Sequence, residues 1–204
     1  FLRNPALRTV INLRASYFQE AERIVDWLTR ERGAACIAIL YQDDSYGRAG
    51  RTGVIRALER RGLESCSEGV YPRNTVVVKR ALLSIRSGDP DAIVIIGAYE
   101  PSAEFIRWAR KLRIDADIVN VSFVGTDALI ETAGEAGTGT LISQVVPFPY
   151  DPSLALVAEY RAAMAALFPG QELGFVSLEG YLAGRFTVEV LKRLDGPPTR
   201  ERFL

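Results

Sequence analysis

The stretch from Cys36 to Gly50 constrains the fold more than any other part of the chain. It runs from an apolar segment, Cys36–Tyr41, through the acidic loop Gln42–Ser45 into the glycine-rich start of a helix. An apolar run without polar alternation is typical of a strand that is covered on both faces, as in a parallel sheet flanked by helices. Because ligands bind at the carboxyl ends of strands in open α/β sheets, we expect this loop to line any site.

The same order of strand, loop and helix recurs along the chain and predicts a doubly wound parallel α/β sheet. Apolar runs predict strands, and apolar positions at helical spacing predict helices. The predicted strands are 9–13, 36–41, 63–71, 91–97, 118–125 and 139–146, and the predicted helices are about 16–33, 47–61, 76–85, 102–112, 126–134, 151–168 and 177–194. The helix at 76–85 opens on three valines, which locally favour a strand. Such alternation requires right-handed crossovers between parallel strands.

Charge and composition exclude several classes of function. The 204 residues are 48% hydrophobic and carry 25 basic and 25 acidic side chains. Because the net charge is zero, no overall field draws the chain to nucleic acid. Histidine is absent, which removes the commonest general base and most zinc sites. We therefore expect no nucleic-acid partner, no metal and no cofactor.

The glycines at the start of the second helix do not form a nucleotide site. Gly47, Gly50 and Gly53 recur at every third residue, unlike the G-x-G-x-x-G of dinucleotide-binding folds, and the sequence contains no G-x-x-x-x-G-K-[ST]. At this spacing the three glycines share one helical face, where they permit close packing. We therefore predict that the chain is not an enzyme.

The two cysteines, Cys36 and Cys66, fall in runs that we interpret as neighbouring strands. A disulfide between them is one alternative. Cysteines on strands are more often buried and act as small hydrophobic residues. We therefore expect two reduced, buried thiols.

Three strand ends carry the side chains that suggest a binding site. They are residues 44–47 with Ser45 and Tyr46, residues 97–101 with Tyr99 and Glu100, and residues 125–128 with Asp127. All three follow apolar strands, so we expect them along one edge of the sheet. Aromatic rings can pack on apolar portions of a zwitterion or an amine while a carboxylate pairs with its ammonium group.

Each of these residues also has an ordinary structural interpretation. Asp127 could complement the dipole of a helix in its first turn, Tyr46 could be a wall residue, and Tyr99 could cover the sheet edge. Their coincidence at one edge is what favours a binding site over these three separate explanations.

The chain resembles the second lobe of periplasmic leucine/isoleucine/valine-type binding proteins, which are type I solute-binding proteins of ABC transporters. The segments that carry the resemblance are residues 37–50, 93–101, 105–112 and 123–129. The resemblance extends over nearly the whole chain, including the proline-dense crossing at residues 147–152 and the last helix.

This resemblance implies a ligand held between two lobes that close on a hinge. Tyr46 and Tyr99 match the cleft tyrosines of the family, with Ser45 and Glu100 beside them, and Asp127 falls where many members place a Glu or Asp against the ligand ammonium. Residues 1–14 would cross in from the first lobe, residues 15–146 would form the second lobe, and residues 147–204 would return through the hinge, with the last helix packed on the first lobe.

The function that we predict is binding of a small amino-acid-like ligand for ABC import or extracellular sensing. The implied partners are an ABC permease or a sensor module, and the implied location is periplasmic or extracellular. The chain starts without a methionine or a signal-peptide pattern, so we expect a piece of a longer protein, monomeric when whole and able to dimerise as a fragment. The alternatives are an α/β enzyme of unassigned chemistry and the effector-binding domain of a repressor.

Overall fold

The computed structural model describes residues 3–4 and 6–204. The chain forms two compact units, Ser16–Val145 and a second unit made of Phe1–Ala15 with Val146–Leu204. Leu2 and Pro5, which belong to the predicted crossing segment, lie outside the described residues. Among the described residues, no helix is both long and apolar enough to cross a bilayer.

The first unit alternates strands and helices, as the sequence predicts. Its strands are β1 (Ile37–Asp43), β2 (Ser65–Pro72), β3 (Ala92–Ile96), β4 (Asp117–Asn120) and β5 (Leu141–Ile142). Its helices are α1 (Tyr17–Arg30), α2 (Ser45–Glu59), α3 (Lys79–Arg86), α4 (Tyr99–Lys111) and α5 (Thr126–Ala133). The second unit contains α6 (Ala155–Leu167), α7 (Phe175–Lys192) and α8 (Arg200–Phe203).

The five strands form one sheet in the order β2-β1-β3-β4-β5, and every neighbouring pair is parallel. Helices α1 and α2 pack on one face around Val25, Val54 and Val94. Helices α3, α4 and α5 pack on the other face around Leu82 and Phe105. Strand β3 is buried along its whole length, because helices cover it on both sides. The predicted doubly wound α/β fold is therefore confirmed.

Local sequence signals determine where the helices begin. A capping box starts α1, with the Ser16 side chain accepting the Gln19 N–H and the Gln19 side chain accepting the Ser16 N–H. The glycine face of α2 is also confirmed. A Cβ atom at Gly50 would collide with Ile96 of β3, and one at Gly53 would lie tightly against α1, 3.1 Å from Ala21 Cβ.

Some predicted elements differ from the structure. Residues 9–13 form no strand, because the described residues provide no neighbouring strand to pair with them. Residues 76–78 precede α3 instead of opening it, in line with the strand preference of β-branched side chains. The strand predicted at 118–125 shortens to β4, since the chain leaves the sheet in a 3-10 turn at Ser122–Val124. The strand predicted at 139–146 shortens to β5, which pairs with β4 over two residues.

Cys36 and Cys66 form a disulfide, with their Cα atoms 5.4 Å apart, so the prediction of two reduced, buried thiols is wrong. Cys36 is half-buried and Cys66 is exposed. The register of β1 against β2 shifts between Ile37 and Ala38, which makes Cys66 the extra residue of a bulge. The bridge joins the edge strand β2 to the amino end of β1.

The second unit has a small core of its own. Val157, Tyr160 and Leu178 are buried together between α6 and α7. The Tyr160 hydroxyl lies 2.6 Å from the Ser177 Oγ, and Arg14 forms an ion pair with Glu179 at 3.0 Å. Large apolar side chains of these helices remain exposed in the chain, and the largest exposed fractions belong to Leu167 and Val176 at 71% and 74%.

Candidate functional site

The residues that the sequence predicts for a site all lie at the carboxyl edge of the sheet. Ser45 and Tyr46 are the first two residues of α2 after β1, Tyr99 and Glu100 are the first two of α4 after β3, and Asp127 is the second residue of α5 after β4. Because β1, β3 and β4 are neighbours in the sheet, the three helices all start at this edge, α2 on one face of the sheet and α4 and α5 on the other. Ser45, Tyr99, Glu100 and Asp127 are exposed there.

A hydrogen-bond network around Asp44 determines the position of Tyr46. The Asp44 carboxylate caps α2 by accepting the Gly47 N–H at 2.8 Å, and it also accepts Nε2 of Gln42 at 2.6 Å. Burial opposes ionisation of Asp44, but these bonds and Arg73, 3.7 Å away, lower its pKa overall. The turn also requires glycine at position 47, because a Cβ atom there would overlap the Gln42 carbonyl oxygen.

Tyr46 is part of an aromatic cluster with Tyr17 and Phe123. The Tyr46 ring lies 5.2 Å from the ring of Tyr17 and 4.7 Å from that of Phe123, measured between centroids. Its hydroxyl is buried and has no hydrogen-bond partner among the described residues. Burial, and after it the neighbouring Tyr17, raises the pKa of Tyr46, so the phenol is neutral at physiological pH. Because the hydroxyl oxygen is buried, the accessible surface of the half-buried Tyr46 comes from its other atoms.

Tyr99 and Glu100 begin α4 on the side of the sheet edge that faces the β2–α3 loop. Tyr99 is 38% exposed. Glu100 lines a cavity of about 510 Å³ with Asn74 and Thr75 of that loop. No hydrogen bond or ion pair within the described residues joins Glu100 to Tyr46 or to Asp127. The structure therefore groups Glu100 with the loop after β2 and not with the aromatic cluster.

Asp127 lies in the first turn of α5. The start of this helix is positioned by Gly125, which precedes it, and by a hydrogen bond to the segment after β5. Gly125 precedes the helix with φ +79°, a conformation that favours glycine, and no side chain caps the helix there. Thr126 Oγ1 accepts Nε2 of Gln144 at 2.8 Å, which links α5 to the segment after β5. Asp127 is exposed and forms no ion pair or hydrogen bond with any described residue. Its carboxylate is therefore available to an external cation.

The sequence analysis did not single out Glu20 or the aromatic neighbours of Tyr46. Glu20 is 5% exposed, and its Oε1 accepts the Ser122 N–H at 2.6 Å and the Ser143 hydroxyl at 2.5 Å. Its position four residues before the buried Ile24 puts Glu20 on the core face of α1, which is a signal of burial but not of its partners. Phe123 was assigned to a strand, and only the 3-10 turn places it against Tyr46.

Comparison with known proteins identifies the family. The sequence model described as periplasmic binding protein matches residues 3–204. The chain belongs to the periplasmic binding protein family. No curated protein sequence is significantly similar to it. The family is one of solute-binding proteins, and the five-stranded unit of this periplasmic binding protein has the architecture of a type I lobe.

Solved structures similar to this periplasmic binding protein agree with that assignment. A protein described as a possible leucine/isoleucine/valine-binding protein from Rhodopirellula baltica SH 1 shares 37% identity over 99% of the chain, with a TM-score of 0.90. A substrate-binding periplasmic protein from Ralstonia solanacearum shares 30% identity over 99% of the chain, with a TM-score of 0.85. The chain spans 56% and 57% of the length of these two proteins.

Proposed function

We propose that this chain supplies one wall of an interlobe site for a small amino-acid-like ligand, in a protein that serves ABC import or extracellular sensing outside the cytoplasm. The observation that carries the proposal is the carboxyl edge of the sheet, which bears an exposed Asp127 without an ion pair among the described residues, an exposed Tyr99, and the aromatic pair Tyr46 and Phe123. One anionic group beside apolar surface suits a ligand with an ammonium group and an apolar portion.

The relatives support an amino acid as the ligand class. The Rhodopirellula baltica protein is described as a possible leucine/isoleucine/valine-binding protein, and it is the more similar of the two reported structures. The sequence resemblance supports this ligand class, because it implies that Asp127 corresponds to the acidic residue that many family members hold against the ligand ammonium. Aromatic surface of Tyr99 and Phe123, which are 38% and 53% exposed, is available to an apolar side chain.

We also propose that residues 16–145 form the second lobe of a two-lobed protein and that the last helices pack on its first lobe. The exposed apolar side chains of α6 and α7 support this arrangement, since single helices with such faces are normally covered. The other wall of the site would then come from the part of the protein that lies outside this chain. A ligand enclosed by both walls would bury the Asp127 carboxylate.

The experiment that tests the ligand proposal is titration calorimetry on the full-length protein with leucine, isoleucine and valine. Asp127→Asn removes the charge partner of the ammonium group. Breaking a buried charge pair costs about 3–5 kcal/mol, so we expect a loss of about two to four orders of magnitude in affinity. Tyr99→Ala should weaken binding through lost apolar contact, by about 1–3 kcal/mol.

The matched control is Glu131→Gln, which removes one exposed carboxylate from the same helix, one turn further on. This variant should leave amino-acid affinity unchanged. If Asp127→Asn also leaves the affinity within about threefold, Asp127 does not bind the ammonium group, and its role is to complement the dipole of α5.

A further inference from the structure

We propose that Glu20 is a positioning residue for the candidate site, which holds the loop between β4 and α5 in place for ligand binding. Glu20 lies in the first turn of α1, remote in sequence from this loop. Its buried carboxylate accepts the backbone N–H of Ser122 and the hydroxyl of Ser143, the residue that follows β5. The inference rests on the proposed function, because it assigns Glu20 a role in the same site.

The contacts of Glu20 reach the candidate ligand-binding side chains by two routes. Ser122 directly precedes Phe123, whose ring lies 4.7 Å from that of Tyr46. Ser143 directly precedes Gln144, whose amide donates to Thr126 Oγ1 at 2.8 Å at the start of α5. A shift of Ser122 or Ser143 would therefore displace the aromatic pair, the start of the helix that carries Asp127, or both.

On the β5 side the sheet provides little other support at this point, whereas on the β3 side the Val121 N–H donates to the Ile95 carbonyl at 3.1 Å. Strands β4 and β5 pair through only two residue pairs, Val119 with Leu141 and Asn120 with Ile142. One further backbone bond, from the Ser143 N–H to the Asn120 carbonyl at 2.9 Å, continues the pair. In addition, no side chain caps the N-terminus of α5. The Glu20 carboxylate thus supplies a lateral link where the regular hydrogen-bond ladder ends.

A purely stabilising role does not account for a carboxylate at this position. Glu20 Oε2 is buried and has no hydrogen-bond partner among the described residues. Burying an ionisable group with an oxygen left unpartnered is unfavourable, and an apolar residue would pack at lower cost. What an apolar residue cannot do is accept both the Ser122 N–H and the Ser143 hydroxyl. The geometry therefore points to the two accepted bonds as the reason for the carboxylate.

Two substitutions at position 20 distinguish the effect of the hydrogen bonds that Glu20 accepts from the effects of its charge and of its side-chain volume. Glu20→Gln keeps an acceptor oxygen, and Glu20→Leu keeps a similar volume without one. Val25→Ala is the matched control, because Val25 is fully buried in the same helix and belongs to the core that α1 forms with α2. The measurements are hydrogen exchange at the Ser122 amide and calorimetric affinity for L-leucine, both on the full-length protein.

We expect Glu20→Leu to reduce protection of the Ser122 amide at least tenfold and to weaken L-leucine binding at least tenfold. Glu20→Gln should remain within about threefold of the wild type in both measurements, and Val25→Ala should lower thermal stability without changing affinity. Retained Ser122 protection in Glu20→Leu, or lost protection with unchanged affinity, would overturn the proposal. If the wild type binds no amino acid, the proposed function fails, and the exchange data still decide whether Glu20 holds the loop.

Discussion

Removal of the Cys36–Cys66 bridge should destabilise the chain without affecting the candidate site. The two cysteines are 30 residues apart in sequence. Closing a loop of that length lowers the entropy of the unfolded chain by an amount equivalent to about 3.6 kcal/mol at 25 °C. For a chain of this size, each kcal/mol lost from the free energy of unfolding lowers the melting temperature by about 2–4 °C. We therefore expect the double variant Cys36→Ala/Cys66→Ala to melt about 7–14 °C lower.

The assay is thermal unfolding followed by circular dichroism, with and without a reducing agent. Reductant should lower the melting temperature of the wild type to that of the double variant, and it should leave the double variant unchanged. Ligand affinity should stay the same, because the seven residues of β1 place Cys36 about 23 Å from the carboxyl edge. A difference in melting temperature below about 2 °C would refute the entropic argument, and a loss of affinity would refute the separation of bridge and site.

Two further predictions follow from the described contacts. The Ala35 and Cys36 N–H groups donate to Asp91 and lower its pKa below the ordinary value of 3.8, so its stabilising effect is present above pH 3.8 and is lost as pH falls further. Urea unfolding of Asp91→Asn should show a weaker acid dependence than the wild type, and an equal dependence would contradict this. Light scattering should detect dimers of the 204-residue chain that Leu167→Lys/Val176→Lys abolishes, whereas a monomeric wild-type chain would contradict a role for these apolar faces.

The sequence predicted the order of the elements well because local periodicity determines it. The predicted helix starts were less accurate near proline, which can either end a regular element or occupy the first turn of a helix. The predicted start of α4 at about residue 102 is three residues late, because Pro101 is tolerated in the first turn, where its missing N–H has no intrahelical partner. The helix therefore begins at Tyr99, which puts both Tyr99 and Glu100 in its first turn.

The errors with a functional consequence all arise from contacts between distant segments. Cys66 appeared to be a buried strand residue, and only the register shift against β1 reveals that it lies in a bulge. Glu20 appeared to be an ordinary polar residue in a first helical turn. Its burial depends on the end of β4 and on the residue after β5, which are more than 100 residues away in sequence. No local pattern encodes such a contact.

Buried polar groups without a partner in the described residues concentrate at the carboxyl edge of the sheet. They are Glu20 Oε2, the hydroxyls of Tyr46 and Ser102, and the side-chain amide of Asn120, with Thr140 near the start of β5 as the remaining case. Leaving each of these buried atoms without a partner is costly to the fold. Sequences depart from the most stable choice mainly where function requires it. This concentration, found without reference to any relative, supports the same edge as the binding site that Tyr99 and Asp127 indicate.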